Sequence, residues 1–368
     1  WGLKLLMGTR DAQQDENVTP IFGLSEVRLR PIVERIAREP VASFTVTIDH
    51  KVEGHRGYSA EKLIPTFHYP TKSGPTRSTT VFVKWFHQPG LHEAHHYANL
   101  EKQHAPIPRM YGTLTDTDQR EMIFLEYLDP IDDLHPFHRF QNGTEGFLQF
   151  LGLAARFNAV QLEGEYASRL PRRDIARDLQ GVGSVLDRIW DSALKGDLGN
   201  PIKKLCSSSR DKLPSLKVLA DSVVDPIGKM ELGLGHNDFY PDSAAWRRET
   251  RELLALDLES VGFAPRFYDV ARWVGAPDDV QTRCLPRQEL AEHYLQEYAR
   301  WGGTPVPIDE FLKDTQILWM AQALTMLGWR LRRAQDGRVD WTDDREEGRR
   351  VFRDDLHRQL SILLGEVS

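Results

Sequence analysis

Hydrophobic positions change their period near residue 129, and the change predicts two kinds of structure. Leu24, Val27, Ile32, Val33 and Ile36 fall near one face of a helix over 24–38, which Pro40 closes. Segments 42–49 (ASFTVTID) and 79–86 (TTVFVKWF) alternate apolar with polar positions and are rich in β-branched residues. Segment 121–128 (EMIFLEYL) is an almost continuous apolar run, so all three predict strands. Between the last two, 91–103 (LHEAHHYANLEKQ) predicts a helix, and Pro and Gly make 70–76 a loop. Past residue 129 helical periods dominate, over 145–162, 172–195, 287–301, 309–334 and 345–364, with short strand signals at 231–236, 244–247 and 252–258. The pattern predicts an α+β chain: an N-terminal extension and helix over 1–40, a small β-rich lobe over 41–128, and a larger, mainly helical lobe over 129–368. No internal repeat or low-complexity tract interrupts it.

Composition narrows the function classes. A chain of 368 residues has room for two domains of ~100–200 residues, and for a large core without disulfides. With 40% hydrophobic and 27% charged residues, a mostly disordered chain is excluded. The net charge of -7 lacks the basic balance of a duplex binder, so no nucleic-acid partner is expected. The two cysteines, Cys206 and Cys284, form no CxxC, which excludes zinc ribbons and disulfide scaffolds. No run reaches the ~18 apolar residues of a membrane span, and the apolar stretch Trp1–Met7 is too short for a signal segment. A cytoplasmic monomer or homodimer is therefore expected, with no membrane partner.

Two segments carry chemistry. Gly235-His236-Asn237-Asp238-Phe239-Tyr240-Pro241-Asp242-Ser243 lies between two strand signals, where a turn is expected. Leu254-Ala255-Leu256-Asp257-Leu258-Glu259 is a short apolar strand ending in two carboxylates. An Asp-bearing loop, a hairpin and a second Asp, here Asp238 and then Asp257, form the kinase-type arrangement. There one Asp receives or orients a hydroxyl proton, while the other Asp and the residue five after the first hold magnesium on nucleotide phosphates. Mg²⁺ favours such hard oxygen ligands. Upstream, Lys84 ends an apolar strand (VFVK), where an ammonium is costly unless paired, and Glu93 on the following helix can pair with it. Such a pair places the ammonium on the phosphates. Gly54 and Gly57, in a GHRG turn, can meet the phosphates through backbone N–H groups. The chain has no GxxxxGK[ST], so a Walker-type fold is not expected.

VFVK, HEAHHYANL, MIFLEYL, HNDFYPDS and LALDLESVGFAPRFYDVA, in that order, resemble the aminoglycoside phosphotransferase and choline kinase superfamily over about residues 42–275. The resemblance implies a bilobal protein-kinase-like fold that phosphorylates small molecules, with Mg²⁺ as cofactor and ATP or GTP as donor. It implies that Lys84 holds phosphates, that Glu93 orients it, and that Glu126, Tyr127 and Leu128 form the lobe-connecting segment whose backbone meets the purine base. Asp238 would be the catalytic base and His236 the brace of its loop. Asp257, Ser243 and Glu259 would form the metal side, and Asp269 of the Tyr268-Asp269 pair would steady the loop. Ala155–Ala159 (ARFNA) matches the family's LARLHA helix with Asn158 in place of His. Ser243 stands where the family usually has Asn, although the methylthioribose kinase branch also carries Ser there, and Asp242 is adjacent. The implied acceptor is a small hydroxylated molecule. An antibiotic being inactivated comes first, a metabolite such as choline, homoserine or a sugar second, and a nucleotide-binding pseudokinase is the third reading.

Other features have plainer expectations. His87, His92, His95, His96 and His104 crowd one segment, and His92 and His96 have chelating i, i+4 spacing, yet a solvated helix face is expected. Trp319, Met320, Met326 and Trp329 are expected in a core stripe. Asp132, Asp133 and the mixed-charge stretch from Arg330 to Arg358 are expected at the surface.

Overall fold

A computed structural model describes residues 24–51, 60–72, 74–88, 93–130, 134–135, 139–140, 144–196, 198–208, 210–276, 285–336 and 345–366. Gly54, Gly57, His92, Asp132, Asp133 and Cys284 lie outside them. The chain divides into two compact units, Trp1–Ala98 with Pro108–Leu128, and Asn99–Ile107 with Asp129–Ser368.

The first unit is built on a five-stranded antiparallel sheet of β1 (Thr45–Lys51), β2 (Ala60–Pro70), β3 (Thr76–Phe86), β4 (Met110–Thr115) and β5 (Glu121–Glu126), in the order β1-β2-β3-β5-β4. Alternation along β3 sends Val81 and Val83 to one face and Lys84 and Phe86 to the other. The Val face is covered by α1 (Glu26–Ala37), whose Leu29, Ile32, Val33 and Ile36 form one core with Leu63, Phe67, Val81, Val83, Met122 and Phe124. Each such side chain contributes roughly 1.5–3 kcal/mol when taken out of water. Helix α1 ends where Arg38 turns left-handed at φ 60°, two residues before Pro40. Helix α2 (Ala94–Lys102) follows β3. Strand β2 escapes the sequence pattern because Pro65 removes a ladder donor, which ordinarily argues against an internal strand. It is tolerated opposite Ile48, next to the irregularity at Ile48/His50 in the β1–β2 register.

In the second unit, short strands β6 (Asp129–Pro130), β7 (Leu134–His135) and β8 (Arg139–Phe140) precede α3 (Thr144–Asn158), α4 (Gly164–Arg169), α5 (Ile175–Gln180), α6 (Val182–Ala193), α7 (Asn200–Ser208) and α8 (Leu213–Gly228). Strands β9 (Leu232–Gly235), β10 (Ala244–Arg247), β11 (Glu252–Ala255) and β12 (Gly262–Pro265) then lead into α9 (Tyr268–Val274), α10 (Arg287–Arg300), α11 (Ile308–Gln335) and α12 (Arg345–Glu366). The helical period over 172–195 is two helices, broken at Gly181. Helix α11 packs against α6, α8, α9, α10 and α12. Its apolar residues lie all round its circumference, as a helix enclosed by others requires. Two expectations for this region are corrected. Trp319 is buried, but Trp329 is 40% exposed, with the Arg333 guanidinium 4.9 Å over its ring. Arg330 is buried rather than solvated, and its Nη1 donates to Gln359 Oε1 at 2.8 Å. Among the described residues no helix is long and apolar enough to cross a membrane.

Candidate active site

Two antiparallel pairings hold the acidic loops of the second unit. β9 pairs with β12, placing Gly235 opposite Gly262, and β10 pairs with β11, placing Ala244 opposite Ala255. The chain leaves β9 at His236, passes Asp238, makes a 3-10 turn at Pro241–Ser243 and enters β10. It leaves β11 at Leu256, turns at Asp257 and returns through Leu258–Ser260 to β12. Three residues without glycine's freedom are left-handed here: Asn237 (φ 65°), Asp257 (φ 62°) and Phe267 (φ 77°). Such conformations persist only where surroundings enforce them, and they concentrate at functional sites.

The enforcement is a buried polar network. Asp269, near the start of α9, accepts from the backbone N–H of His236 at 2.7 Å and of Asn237 at 2.8 Å. Asn158, at the end of α3, donates from Nδ2 to Leu234 O at 2.9 Å and to Asp269 Oδ2 at 2.8 Å. Its Oδ1 accepts from the Tyr294 hydroxyl of α10 at 3.0 Å. His236, fully buried, donates from Nε2 to Leu256 O at 2.6 Å, tying the Asp238 loop to the Asp257 turn and fixing the tautomer. The His236 ring meets Phe157 and Phe239 edge-on, each at 5.6 Å. Phe239 also stacks on Phe150 at 4.5 Å, so the residue after Asp238 is an apolar anchor.

With both neighbours anchored, Asp238 itself is exposed. The protein mass around its carboxyl pushes the pKa up, and the nearby Asp257 and Asp242 carboxylates push the same way, while His236 and Arg173 oppose them. Asp242 and Glu259 are exposed and Asp257 is half-buried. Ser243 is buried, and its hydroxyl donates to Asp238 O at 2.9 Å, leaving oxygen lone pairs for any cation. Among the described residues no three His, Cys, Asp or Glu side chains form a closed metal cage. The Asp257 and Asp242 carboxylates that crowd Asp238 are nevertheless a donor set that a single Mg²⁺ would relieve, and Mg²⁺ takes only one or two protein carboxylates besides phosphate and water.

In the first unit, Lys84 and Glu93 form a buried ion pair, with Lys84 4% and Glu93 0% exposed. The Lys84 ammonium also lies 5.4 Å from the Phe86 ring. Glu93 precedes α2, and its carbonyl accepts from His96 N at 2.9 Å. His96 is buried rather than solvated, and burial, with His95 beside it, lowers its pKa to about 4. Glu126 and Tyr127 are half-buried and Leu128 is buried. Glu126 exchanges hydrogen bonds with Arg109, its N–H donating to Arg109 O at 2.9 Å and its Oε2 accepting from Arg109 N at 3.1 Å.

Three residues around the loop have no sequence signal of their own. Asn158 looks like a mere departure from the family helix, yet it joins α3, β9, α9 and α10 at one point. Tyr294 is one aromatic in an ordinary helical period. Arg173 lies in an unremarkable PRRD segment, but its Nη1 donates to Asn237 O at 3.0 Å. Only their tertiary partners distinguish them.

No protein-family model matches the chain, and no curated protein sequence matches it. Solved structures do. One is a spectinomycin phosphotransferase in complex with ADP and spectinomycin, 13% identical over 88% of this chain and 93% of that one, with a TM-score of 0.52. A Ralstonia eutropha protein assigned to the aminoglycoside phosphotransferases is 14% identical over 90% of this chain and 97% of its own, with a TM-score of 0.51. A Plasmodium vivax ethanolamine kinase is 12% identical over 88% and 83%, also with a TM-score of 0.51. At these identities the likeness is one of architecture: the chain has an α+β, kinase-like fold similar to that of these phosphotransferase and ethanolamine kinase structures.

Proposed function

We infer that this protein is a small-molecule O-phosphotransferase, moving the γ-phosphoryl group of ATP or GTP to a substrate hydroxyl. The observation that carries this is the clamp of Asp269 on the two backbone N–H groups before Asp238, which leaves that carboxylate exposed beside Asp257. The acceptor oxygen forms a bond to phosphorus, the bond to the nucleoside diphosphate oxygen breaks, and the hydroxyl proton passes to Asp238. The raised pKa suits a carboxylate that must hold that proton briefly. His236 and Asp269 keep the base in place, so the chain contributes mainly positioning and electrostatics. Asp257 and Ser243, with Glu259 nearby, are the residues that would hold Mg²⁺. When bound, Mg²⁺ supplies charge neutralisation on the phosphates. Lys84, oriented by Glu93, is the candidate phosphate cation of the first unit, and the Glu126–Leu128 backbone is the candidate purine contact.

Among acceptors, the first reading is a hydroxylated antibiotic, supported by fold likeness to a spectinomycin phosphotransferase. A metabolite kinase is the second, supported by an equally close likeness to an ethanolamine kinase. A coupled phosphoryl-transfer screen with ATP and GTP, over antibiotics and hydroxylated metabolites, tests both. Asp238→Ala should abolish most turnover while nucleotide still binds, and Asp257→Ala should weaken metal–nucleotide binding. Turnover that survives Asp238→Ala would remove the base from that residue.

A further inference from the structure

Asn237 stands between the buried His236 and the exposed Asp238, and its side chain runs across to the Asp257 turn. Its Nδ2 donates to Ser260 O at 3.0 Å and, more weakly, to Gly262 O at 3.4 Å. These two carbonyl acceptors settle which way the amide faces, since turning it over would set Oδ1 against both of them. In this orientation Oδ1 is buried without a hydrogen-bond partner among the described residues. An unsatisfied buried acceptor is costly, so the Nδ2 contacts are kept against a penalty. Glycine at 235 leaves room for the amide: a Cβ there would come within 2.8 Å of Asn237 Oδ1, whereas the Ala264 Cβ would be 3.6 Å away. The Asn237 backbone is left-handed at φ 65°, a conformation that asparagine adopts more readily than most residues.

The Asp257 turn is thereby held at both ends. His236 Nε2 donates to Leu256 O, just before Asp257, and Asn237 Nδ2 donates to Ser260 O, just after Glu259. A further bond, from Leu256 N to Ser243 O at 2.8 Å, ties the same turn to the end of the Asp238 loop. Between the two held carbonyls Asp257 turns left-handed (φ 62°) and Leu258–Ser260 forms a 3-10 turn. All three candidate magnesium residues, Ser243, Asp257 and Glu259, therefore hang on the loop that carries the candidate base. The two side-chain ties differ in kind. His236 is fully buried and meets Phe157 and Phe239 edge-on, so its removal would disturb the core. Asn237 is only half-buried, and its side-chain bonds go to the turn alone. Losing them should alter the geometry of the site more than the packing of the fold.

We propose that Asn237 is a positioning residue of the transfer step: its side chain locks the Asp257–Glu259 turn to the Asp238 loop, so that the candidate base and the candidate metal side keep one geometry. The inference rests on the phosphotransferase reading and adds to it a residue that acts through its neighbours. The experiment uses the full chain and Asn237→Gly, which removes the amide and accepts the left-handed backbone without strain. Turnover of the best acceptor from the screen is followed over a range of Mg²⁺ concentrations. The variant should lose roughly 10–100-fold in kcat, the scale of a misplaced reacting group, with acceptor KM little changed and half-saturation at higher Mg²⁺. Calorimetry with Mg²⁺ and ADP should show binding weakened by about 3–10-fold, the worth of one neutral hydrogen bond. Hydrogen exchange should speed up over 257–261 and stay unchanged over 232–236, where Asp269 still holds the His236 amide. Gly235→Ala crowds the same amide from the other side and should reproduce all three changes, which also serves if Asn237→Gly fails to fold. Combined with Asn237→Gly it should add little, because the new Cβ then keeps the ordinary 3.6 Å contact with Ala264. Unchanged kcat, unchanged affinity for Mg²⁺ and ADP, unchanged exchange over 257–261, or full additivity of the two substitutions would each overturn the proposal. If the wild type turns over no acceptor, the phosphotransferase reading itself fails. The lock is then decided by exchange and by the affinity for Mg²⁺ and ADP alone.

Discussion

Asn158→Asp changes almost nothing in shape and nearly everything in polarity, which makes it the sharpest probe of the network behind Asp238. In the native chain Nδ2 supplies two donors, one to Leu234 O at 2.9 Å and one to Asp269 Oδ2 at 2.8 Å. A carboxylate at 158 replaces both donors with an acceptor and faces the Asp269 carboxylate at hydrogen-bond distance. Two carboxylates so close do not both stay ionised, so the new carboxyl takes up a proton at a pH well above its unfolded value of about 3.9. If the folded pKa rises by ~2–3 units, at 1.36 kcal/mol per unit, the variant loses ~3–4 kcal/mol at pH 8. The single proton serves only one of the two acceptors, and the other adds about 1 kcal/mol at any pH. A total of about 4–5 kcal/mol is a large part of the ~5–15 kcal/mol that holds a domain folded.

The sign of the pH dependence follows. A carboxyl with a raised folded pKa makes the folded state bind more protons than the unfolded one between the two pKa values, so stability falls as pH rises through that window. Above the folded pKa the penalty is complete. At pH 5 only about one unit of the window lies below the working pH, and the cost shrinks to roughly 2–3 kcal/mol. Urea unfolding of wild type and variant at pH 8 and pH 5 measures both gaps, with the m-value checked for constancy. Hydrogen exchange over 232–240 should report the same loss locally, because Asp269 anchors the amides of His236 and Asn237. A variant within ~0.5 kcal/mol of wild type at pH 8, or an equal gap at both pH values, would refute the network as described.

Three further substitutions test other parts of the chain. Asp116 accepts from Trp85 Nε1 at 2.9 Å, Arg120 Nε at 2.7 Å, and the Asp118 and Arg120 amides at 2.8 and 2.9 Å. Burial opposes its ionisation, yet the Arg120 backbone and side-chain bonds, with those from Asp118 and Trp85, hold its pKa below the usual carboxylate value. Its stabilising contribution is therefore present above the unfolded pKa and lost as pH falls through the folded one. Asp116→Asn should flatten that acid limb of the thermal midpoint, and an unchanged limb would assign it elsewhere. Gly275→Ala puts a Cβ 2.1 Å from Thr315 O and 2.6 Å from Trp319 Cβ, wedging α9 from α11. A loss of about 1–3 kcal/mol in urea is expected. Lys84→Met strips the buried Glu93 carboxylate of its ammonium and should cost ~3–5 kcal/mol, whereas adding Glu93→Gln should restore most of it. If the double variant is no better than the single, the pair is not what that substitution breaks.

What the sequence reveals and conceals follows from the range of each interaction. The Asp238 and Asp257 loops are legible because their chemistry is local: a carboxylate, a turn and a flanking strand sit within a few residues of each other. The β3 lysine and its Glu93 partner are legible for the same reason, one strand end and one helix start apart. Strand β2 is hidden because Pro65 contradicts the local preference, and only the pairing of β1 and β3 on either side makes it a strand. Helix α8 keeps helical spacing in its buried Leu216, Ala220, Val223 and Ile227, but Pro214 and Pro226 within its 16 residues argue locally against a helix.

The residues that orient the candidate base are the hardest to read, and the reason is physical. A hydrogen bond has no sequence period. Asn158 and Asp269 are 111 residues apart, Asn158 and Tyr294 136 apart, and Arg173 and Asn237 64 apart. Each is recognisable only once the fold has brought it to its partner. A side chain at 158 needs two donors for Leu234 and Asp269, and an acceptor for Tyr294. Asparagine offers all three from one amide, whereas histidine, with two ring nitrogens, can serve at most two of them. The substitution that looks like a loss against the family pattern is thus coupled to the tyrosine on α10. Replacing Asn158 by His should therefore require Tyr294→Phe as well, and the pair should be more stable than Asn158→His alone. Additivity of the two changes would show that position 158 is set by packing rather than by its hydrogen bonds.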